Sequence, residues 1–287
     1  MATLVETAKS WLPQRVRRPL RGSRRWLTSP LRTLPDYLII GAAKSGTTSL
    51  YKYLCRHPRV LPAARKEVRY FSHHLDRGAS WYRAHFPLAV TKWNQRSITG
   101  EASPTYLQDL RIPRHVRAVV PEARLLVLLR NPVDQAYSGY HMTRHNYPSD
   151  LSFEDYIAWS TEQIAEHVFG VRLAKRNQNG VTDRLLCGSV LDSGLYAMQL
   201  TAWFHHFPRD QFLVIPSERF FADTQGSLDR ITDFLGIPRS TWPEFPVYNR
   251  TPYPPMNPAT RNRLIEHYRP HNARLYQLLG EEFAWDR

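Results

Sequence analysis

Lys44 stands in a run of small residues, Gly41-Ala-Ala-Lys-Ser-Gly-Thr-Thr48, with an apolar segment before it and a helical pattern after it. That setting suits a phosphate. A tight turn between strand and helix points successive backbone N–H groups inward, the helix start adds its positive end, and one Lys adds a full charge. Ser45, Thr47 and Thr48 bring hydroxyl donors. An ATP-type loop closes on Gly-Lys-Ser/Thr and uses the hydroxyl to hold Mg²⁺; here Lys44 comes before Gly46 and that order is missing. A second basic site follows downstream. Arg130 ends the Leu-rich segment 125–129, and Ser138 lies in the helix-patterned segment behind it. Arg offers a planar fork to phosphate oxygens, and the Ser hydroxyl is one more donor. At the carboxyl edge of a parallel sheet a single ligand meets both.

The elements that must position these groups can be read from hydrophobic patterning. Residues 37–40 and 124–129 form two buried apolar runs of strand length, and 212–215 a third. A shorter strand is expected at 97–100, and 58–62 reads as a connection between prolines. Helical spacing appears over 47–57, 80–86, 112–120, 153–165, 191–207 and 228–235, the last stopped by Gly236. Asn131 can cap a helix that starts at Pro132 and runs to about Arg144. Residues 243–258 form a proline-rich irregular loop, and 260–268 and 272–279 read as two closing helices. Alternating strands and helices predict an α/β fold: one P-loop-like domain with a central parallel β-sheet flanked by helices on both faces. The expected division is a basic arm over 1–33 and the catalytic domain over 34–287.

Composition narrows the setting. The net charge of +14 calls for anionic partners. Arg15, Arg17, Arg18, Arg21, Arg24, Arg25 and Arg32 crowd the arm, with no acidic residue between them. Trp11, Leu12, Trp26 and Leu27 interleave with these charges, so contact between the arm and an anionic membrane surface is expected. Charge concentrated in the arm, not striped over a fold, argues against a nucleic-acid partner. No apolar run reaches transmembrane length, and no signal peptide is expected. With only Cys55 and Cys187 there is no disulfide framework, which predicts a cytoplasmic protein, peripheral to a membrane at most. The pairs His73-His74 and His205-His206 are too close in sequence to converge on one ion, so no metal site is expected.

The loop Gly-x-x-Lys-x-Gly-Thr-Thr resembles the 5′-phosphosulfate loop of sulfotransferases that use 3′-phosphoadenylyl sulfate (PAPS). Arg130-Asn-Pro with Ser138 resembles their 3′-phosphate motif. Lys66-Glu-Val-Arg-Tyr-Phe71, Trp81-Tyr82, Phe86-Pro87, Ser103-Pro104 with Tyr106, and the ending from Tyr276 to Trp285 resemble the heparan sulfate N-sulfotransferase and 3-O-sulfotransferase domains. The resemblance implies Glu67 as catalytic base and Lys44 as the group that stabilises the leaving phosphate. It implies Lys44, Ser45, Gly46, Thr47, Thr48, Arg130 and Ser138 as nucleotide-binding residues. It further implies Lys66, Ser103, Tyr106 and Arg111 as residues of the acceptor cleft. The last quarter departs from the family. Animal members close a disulfide loop over the nucleotide, ending in Lys-Gly-Arg; Asn249-Arg-Thr-Pro-Tyr-Pro-Pro-Met256 stands there instead. Arg250 and Tyr253 are the candidates for the same cover, and the shorter loop fits a bacterial relative.

The expected activity is therefore sulfuryl transfer from PAPS to a hydroxyl or amine of a carbohydrate or glycolipid, with adenosine 3′,5′-bisphosphate as product and no metal. Two other readings stand beside it. A P-loop nucleotide kinase or NTPase needs a strand-end Asp for Mg²⁺, where this chain has Arg130. A non-enzymatic polyanion-binding module needs its charge spread over the folded surface.

Overall fold

The computed structural model describes residues 25–144, 151–158, 190–246, 248 and 252–286. Five strands form one sheet: β1 Tyr37–Gly41, β2 Val60–Pro62, β3 Ile98–Ala102, β4 Arg124–Leu129 and β5 Phe212–Pro216. Their order is β2-β3-β1-β4-β5, and all pairs are parallel. Side chains of a strand alternate between faces, and the core divides accordingly. Leu38, Ile40, Leu125, Val127 and Leu129 join Tyr106, Trp203, Phe207 and Leu275 on one face. Tyr37, Ile39, Leu126, Leu128 and Ile215 join Leu50, Tyr53, Leu228 and Ile231 on the other. A parallel sheet buried on both faces is the architecture expected from the sequence.

The described helices are α1 Thr47–Leu54, α2 Tyr70–His73, α3 Gly78–Arg83, α4 Ala89–Asn94, α5 Ile112–Val119, α6 Pro132–Thr143, α7 Phe153–Ala158, α8 Tyr196–His206, α9 Ser217–Ala222, α10 Thr224–Leu235 and α11 Pro258–Leu279. Three local expectations change. The connection at 58–62 contains strand β2, which pairs Val60 with Ile98 and ends on Pro62, where a missing N–H costs an edge strand little. The two closing helices are one. Pro270 lies inside α11, and the buried stripe of Leu264, Ile265, Tyr268, Asn272 and Leu275 runs past it unbroken. Helix α8 starts at Tyr196, after a 3₁₀ turn Asp192–Gly194 in which Gly194 meets Pro132 and Tyr268 too closely for a side chain.

Part of the expected arm is folded onto the domain. Arg32 Nη1 donates to the Phe86 carbonyl at 2.6 Å, and Thr33 N–H to the Pro87 carbonyl at 3.1 Å. Residues 1–24 lie outside the described residues, as do 159–189 with the second half of the helix expected at 153–165 and Cys187.

Trp203 links this core to the loop after β1. It is fully buried and donates from Nε1 to the Leu107 carbonyl at 3.3 Å. Leu107 in turn sits where a Cβ on Gly41 would come within 2.4 Å of it. Trp203→Ala is expected to cost about 3–5 kcal/mol of unfolding free energy in a denaturant titration, the range for emptying an aromatic core site.

Candidate active site at the carboxyl edge of the sheet

Strand β1 sits between β3, which enters from one side, and β4, which lies on the other. The connection from β1 runs to β2 on one side and that from β4 to β5 on the other, so the crevice between the carboxyl ends of β1 and β4 is a topological switch point, the usual ligand position in open α/β sheets. The loop 42–46 lies there. Its carbonyls are tied from behind. Gln135 Nε2 donates to the Ala43 carbonyl at 3.3 Å, Arg130 Nη1 to that of Lys44 at 3.2 Å, and Ser217 Oγ to that of Ser45 at 2.9 Å. These ties fix the orientation of the loop peptides, and Ser45 N–H turns back on the Ala42 carbonyl at 3.3 Å.

Gly46 opens α1 with φ +89°, a left-handed conformation, and no side chain caps the helix start. A Cβ on Gly46 would stand 2.7 Å from the Phe221 ring, so both backbone and packing require glycine. An uncapped helix N-terminus holds backbone donors without helical partners and favours an anion. Ser45 Oγ is buried and has no hydrogen-bond partner of good geometry among the described residues. The Tyr196 hydroxyl near it donates instead to the Arg130 carbonyl at 3.0 Å. Lys44, half-buried at φ +65°, pairs with no carboxylate among the described residues. Burial pushes its pKa below the usual 10.5; Tyr253 acts in the opposite direction, and the Arg130 charge adds to the lowering.

Arg130 emerges half-buried from β4 and also has no carboxylate partner among the described residues. The next residues fix where it emerges. Asn131 caps α6 by accepting from Val133 N–H at 3.0 Å, and its own N–H donates to Glu218 at 2.9 Å. Glu218 also accepts from Trp285 Nε1 at 3.2 Å, which ties the C-terminal segment to this junction. Ser138 is buried on α6. Tyr253, from the loop before α11, packs against the same helix, stacked on His141 at 4.6 Å between ring centres and edge-on to Tyr137 at 5.3 Å. Tyr253 also lies near enough to Lys44 to act on its ammonium. Arg250 lies outside the described residues.

Glu67 lies over the next strand. Its N–H donates to the carbonyl of Ala102, the last residue of β3. Its carboxylate accepts from Lys66 Nζ at 2.7 Å on one oxygen and from Arg69 Nη2 at 2.5 Å on the other. Burial alone would raise its pKa, but the hydrogen bonds from Lys66 and Arg69 outweigh burial and hold it below 4.5. Ser103 and Tyr106 do not present their hydroxyls at a surface. Both are buried, and both donate to Glu101, at 2.7 and 3.1 Å. Arg111, at the start of α5, is exposed and held by Asp109 at 2.8 Å. The sequence reading passed over Glu101, a single carboxylate in a short apolar strand whose partners lie elsewhere in the chain.

The sulfotransferase domain family model matches residues 34–250. The chain belongs to the PAPS-dependent sulfotransferase family. Human heparan sulfate glucosamine 3-O-sulfotransferase 6 is 32% identical over 278 residues, which cover 88% of this chain and 74% of that protein. The membrane-associated sulfotransferase kil1 of Dictyostelium discoideum is 28% identical, covering 88% of this chain and 66% of its own. Among solved structures, a sulfotransferase from Alicyclobacillus acidocaldarius superposes with a TM-score of 0.67 at 28% identity, over 89% of this chain and all of that one.

These relatives correct the cytoplasmic placement. They are heparan sulfate enzymes and a protein named for its membrane association, and they lend a cytosolic home no support. The expectation rested on scarce cysteines, but a core of this size needs no disulfide in any compartment. No helix among the described residues is long and apolar enough to cross a membrane, and that alone assigns no compartment.

The lowered Lys44 pKa has a measurable sign. An anion at this loop favours the charged ammonium, so its affinity is full at neutral pH and falls as pH rises through the Lys44 pKa, starting below the usual 10.5. Titration calorimetry of adenosine 3′,5′-bisphosphate from pH 7 to 10 should show that decline, and Lys44→Met should flatten it.

Proposed function

We propose that residues 34–287 form a transferase domain that moves the sulfuryl group of PAPS to a hydroxyl of a carbohydrate, free or as a glycolipid headgroup. The observation that carries this reading is the pair Lys44 and Arg130, two cations without carboxylate partners among the described residues, on the two sides of one crevice. One phosphate would sit on the loop amides of 45–48, with Lys44 and the hydroxyls of Ser45, Thr47 and Thr48. A second would sit against Arg130 and Ser138, and this second phosphate separates PAPS from ATP. Tyr253, stacked over α6, would border the nucleotide, with Arg250 beside it. The carbohydrate class of the acceptor rests on the named substrate of the relatives.

In the reaction the acceptor oxygen bonds to sulfur while the bond from sulfur to the bridging 5′-phosphate oxygen breaks. The electron pair stays on that phosphate, where Lys44 offsets the charge, and the acceptor proton passes to Glu67. Such transfers depend on alignment and on charge placed where it develops. Glu67 is ionised throughout the neutral range because its pKa lies below 4.5. Its oxygens keep lone pairs beyond those that Lys66 and Arg69 occupy. Lys66 and Arg111 would face the acceptor, and Ser103 and Tyr106 would act from beneath it through Glu101. No ion enters this scheme.

Two experiments test the assignment. Arg130→Ala should weaken adenosine 3′,5′-bisphosphate by about 2–4 kcal/mol, the range for truncating one member of a desolvated charge pair, while AMP, lacking the 3′-phosphate, loses only what the missing tie to the Lys44 carbonyl contributes to the loop. Equal losses for both nucleotides would sink the 3′-phosphate assignment. Glu67→Gln should keep nucleotide affinity and lower single-turnover transfer from labelled PAPS roughly 10²–10⁴-fold, still in excess EDTA. Lys44→Ala should damage both affinity and turnover, since the same ammonium touches the phosphate in ground and transition states. Wild-type transfer by Glu67→Gln would remove Glu67 as base.

A further inference from the structure

Glu101 is fully buried on β3, and no Lys, Arg or His pairs with it among the described residues. Four donors converge on its two oxygens. Oε1 accepts from the hydroxyls of Tyr82 at 2.8 Å and Tyr106 at 3.1 Å. Oε2 accepts from Ser103 Oγ at 2.7 Å and from Val68 N–H at 3.1 Å. Two of those hydroxyls also accept. Ser103 Oγ takes Arg69 N–H at 3.1 Å, and the Tyr106 oxygen takes Phe71 N–H at 3.4 Å. The amides of residues 68, 69 and 71 are thus read by one carboxylate, directly or through a single hydroxyl, while Glu67 N–H rests on the neighbouring Ala102 carbonyl at 3.1 Å.

This segment needs such support. Glu67 has φ +58° and Arg69 φ +55°, two non-glycine residues in the left-handed region with one residue between them. Each is a sparsely populated conformation that persists only where the surroundings over-determine it. The backbone at Glu67 sets the direction of its side chain, and the backbone at Arg69 sets the guanidinium that holds one of its oxygens.

We infer that Glu101 is the positioning residue for Glu67: an ionised, buried carboxylate that templates the 67–71 backbone and thereby aims the catalytic carboxylate. The inference rests on the reading that Glu67 takes the acceptor proton. The ionised form is the one the geometry satisfies. All four donors act at once only on the ionised form: a protonated Glu101 could donate to the oxygen of Tyr82, Ser103 or Tyr106, but that hydroxyl would then give up its own bond to Glu101. Burial pushes the Glu101 pKa up, and the four donors oppose that push. The base and its template are different groups: Glu67 is half-exposed and clamped by cations, whereas Glu101 is sealed and held by neutral donors.

Glu101→Gln keeps the size but replaces one acceptor oxygen with an NH₂ group that faces donors. The expected result is a kcat loss of roughly 100-fold, the scale of an ångström-level misplacement of a reacting group, with the Kd for adenosine 3′,5′-bisphosphate unchanged. Hydrogen exchange should lose protection at Val68, Arg69 and Phe71 and keep it in α1. Ser103→Ala cuts only the relay to Arg69 N–H and serves as a second variant should Glu101→Gln not fold; a lower kcat at constant nucleotide Kd is expected there too. Wild-type kcat in these variants, or a nucleotide affinity that falls in step with kcat, would overturn the positioning role. Glu67→Gln, run alongside, separates the two readings: if it transfers at the wild-type rate, the base assignment fails, whereas an impaired Glu67→Gln beside an unimpaired Glu101→Gln removes only the template.

Discussion

Three carbonyls pulled backwards are the constraint on which the donor side depends. A loop of Ala, Ala, Lys, Ser and Gly has little preference of its own for a phosphate-binding shape. Gln135 on α6, Arg130 at the end of β4 and Ser217 at the start of α9 each take one carbonyl, from Ala43, Lys44 and Ser45. Once those three acceptors are satisfied, the loop peptides are fixed in orientation, with Ser45 N–H turned back on the Ala42 carbonyl. Arg130 serves twice in this arrangement. One of its five donors builds the loop, and the others remain to meet an anion. The guanidinium thus couples the shape of one phosphate site to the charge of the next, which a lysine, with its single point of charge and no planar fork, could not do in the same place.

The two sides of the crevice handle charge in opposite ways. On the proposed donor side Lys44 and Arg130 meet no carboxylate among the described residues, so the charge is placed before any ligand arrives and needs little reorganisation. The cost is visible at Lys44, where burial makes the ammonium less favourable than in water. On the acceptor side Glu67 is fully matched by Lys66 and Arg69. That pairing outweighs burial, lowers the pKa of the proposed base and so favours its ionised form. A base of this kind gains from proximity more than from proton affinity, and proximity is a backbone property here, since the side chain is short and its φ is held at +58°.

What could be read in the sequence was local. The strand, loop and helix around Lys44 are contiguous, and Asn131-Pro132 announces a helix start immediately after Arg130, so both phosphate sites carry their own punctuation. The alternation of core residues in 37–41 and 124–129 made the sheet legible as well. Long-range pairing was not legible. Val60–Pro62 is a strand because Ile98–Gly100 lies beside it, and nothing in its own three residues says so. Pro270 suggested a break between helices, yet the buried face on both sides of it is continuous, and tertiary packing overrides one lost backbone bond. Ser103 and Tyr106 were marked as acceptor-cleft residues from a motif, but the groups that engage their hydroxyls lie on β3 itself and thirty-odd residues upstream. Glu101 was invisible for the same reason: Tyr82, Val68, Ser103 and Tyr106 form a site only after folding.

The sheet joins the two sides more rigidly than any loop could. Ser103 N–H donates to the Ile39 carbonyl and Leu107 N–H to that of Ile40, at 3.1 and 2.8 Å, so the exit of β3 is fastened to β1 one or two residues before the phosphate loop begins. Adjacent strands lie about 4.8 Å apart, and Glu67 is bonded to the end of one while Lys44 follows the end of the other. The backbone anchors of the proposed base and of the proposed leaving-group cation therefore belong to neighbouring strands of one ladder. In-line transfer asks for that: the attacking oxygen and the departing phosphate oxygen stand on opposite sides of sulfur at a fixed span, whatever sugar carries the hydroxyl. The chemistry is fixed by β1, β3 and β4, and the choice of acceptor is left to the segments that rise above them.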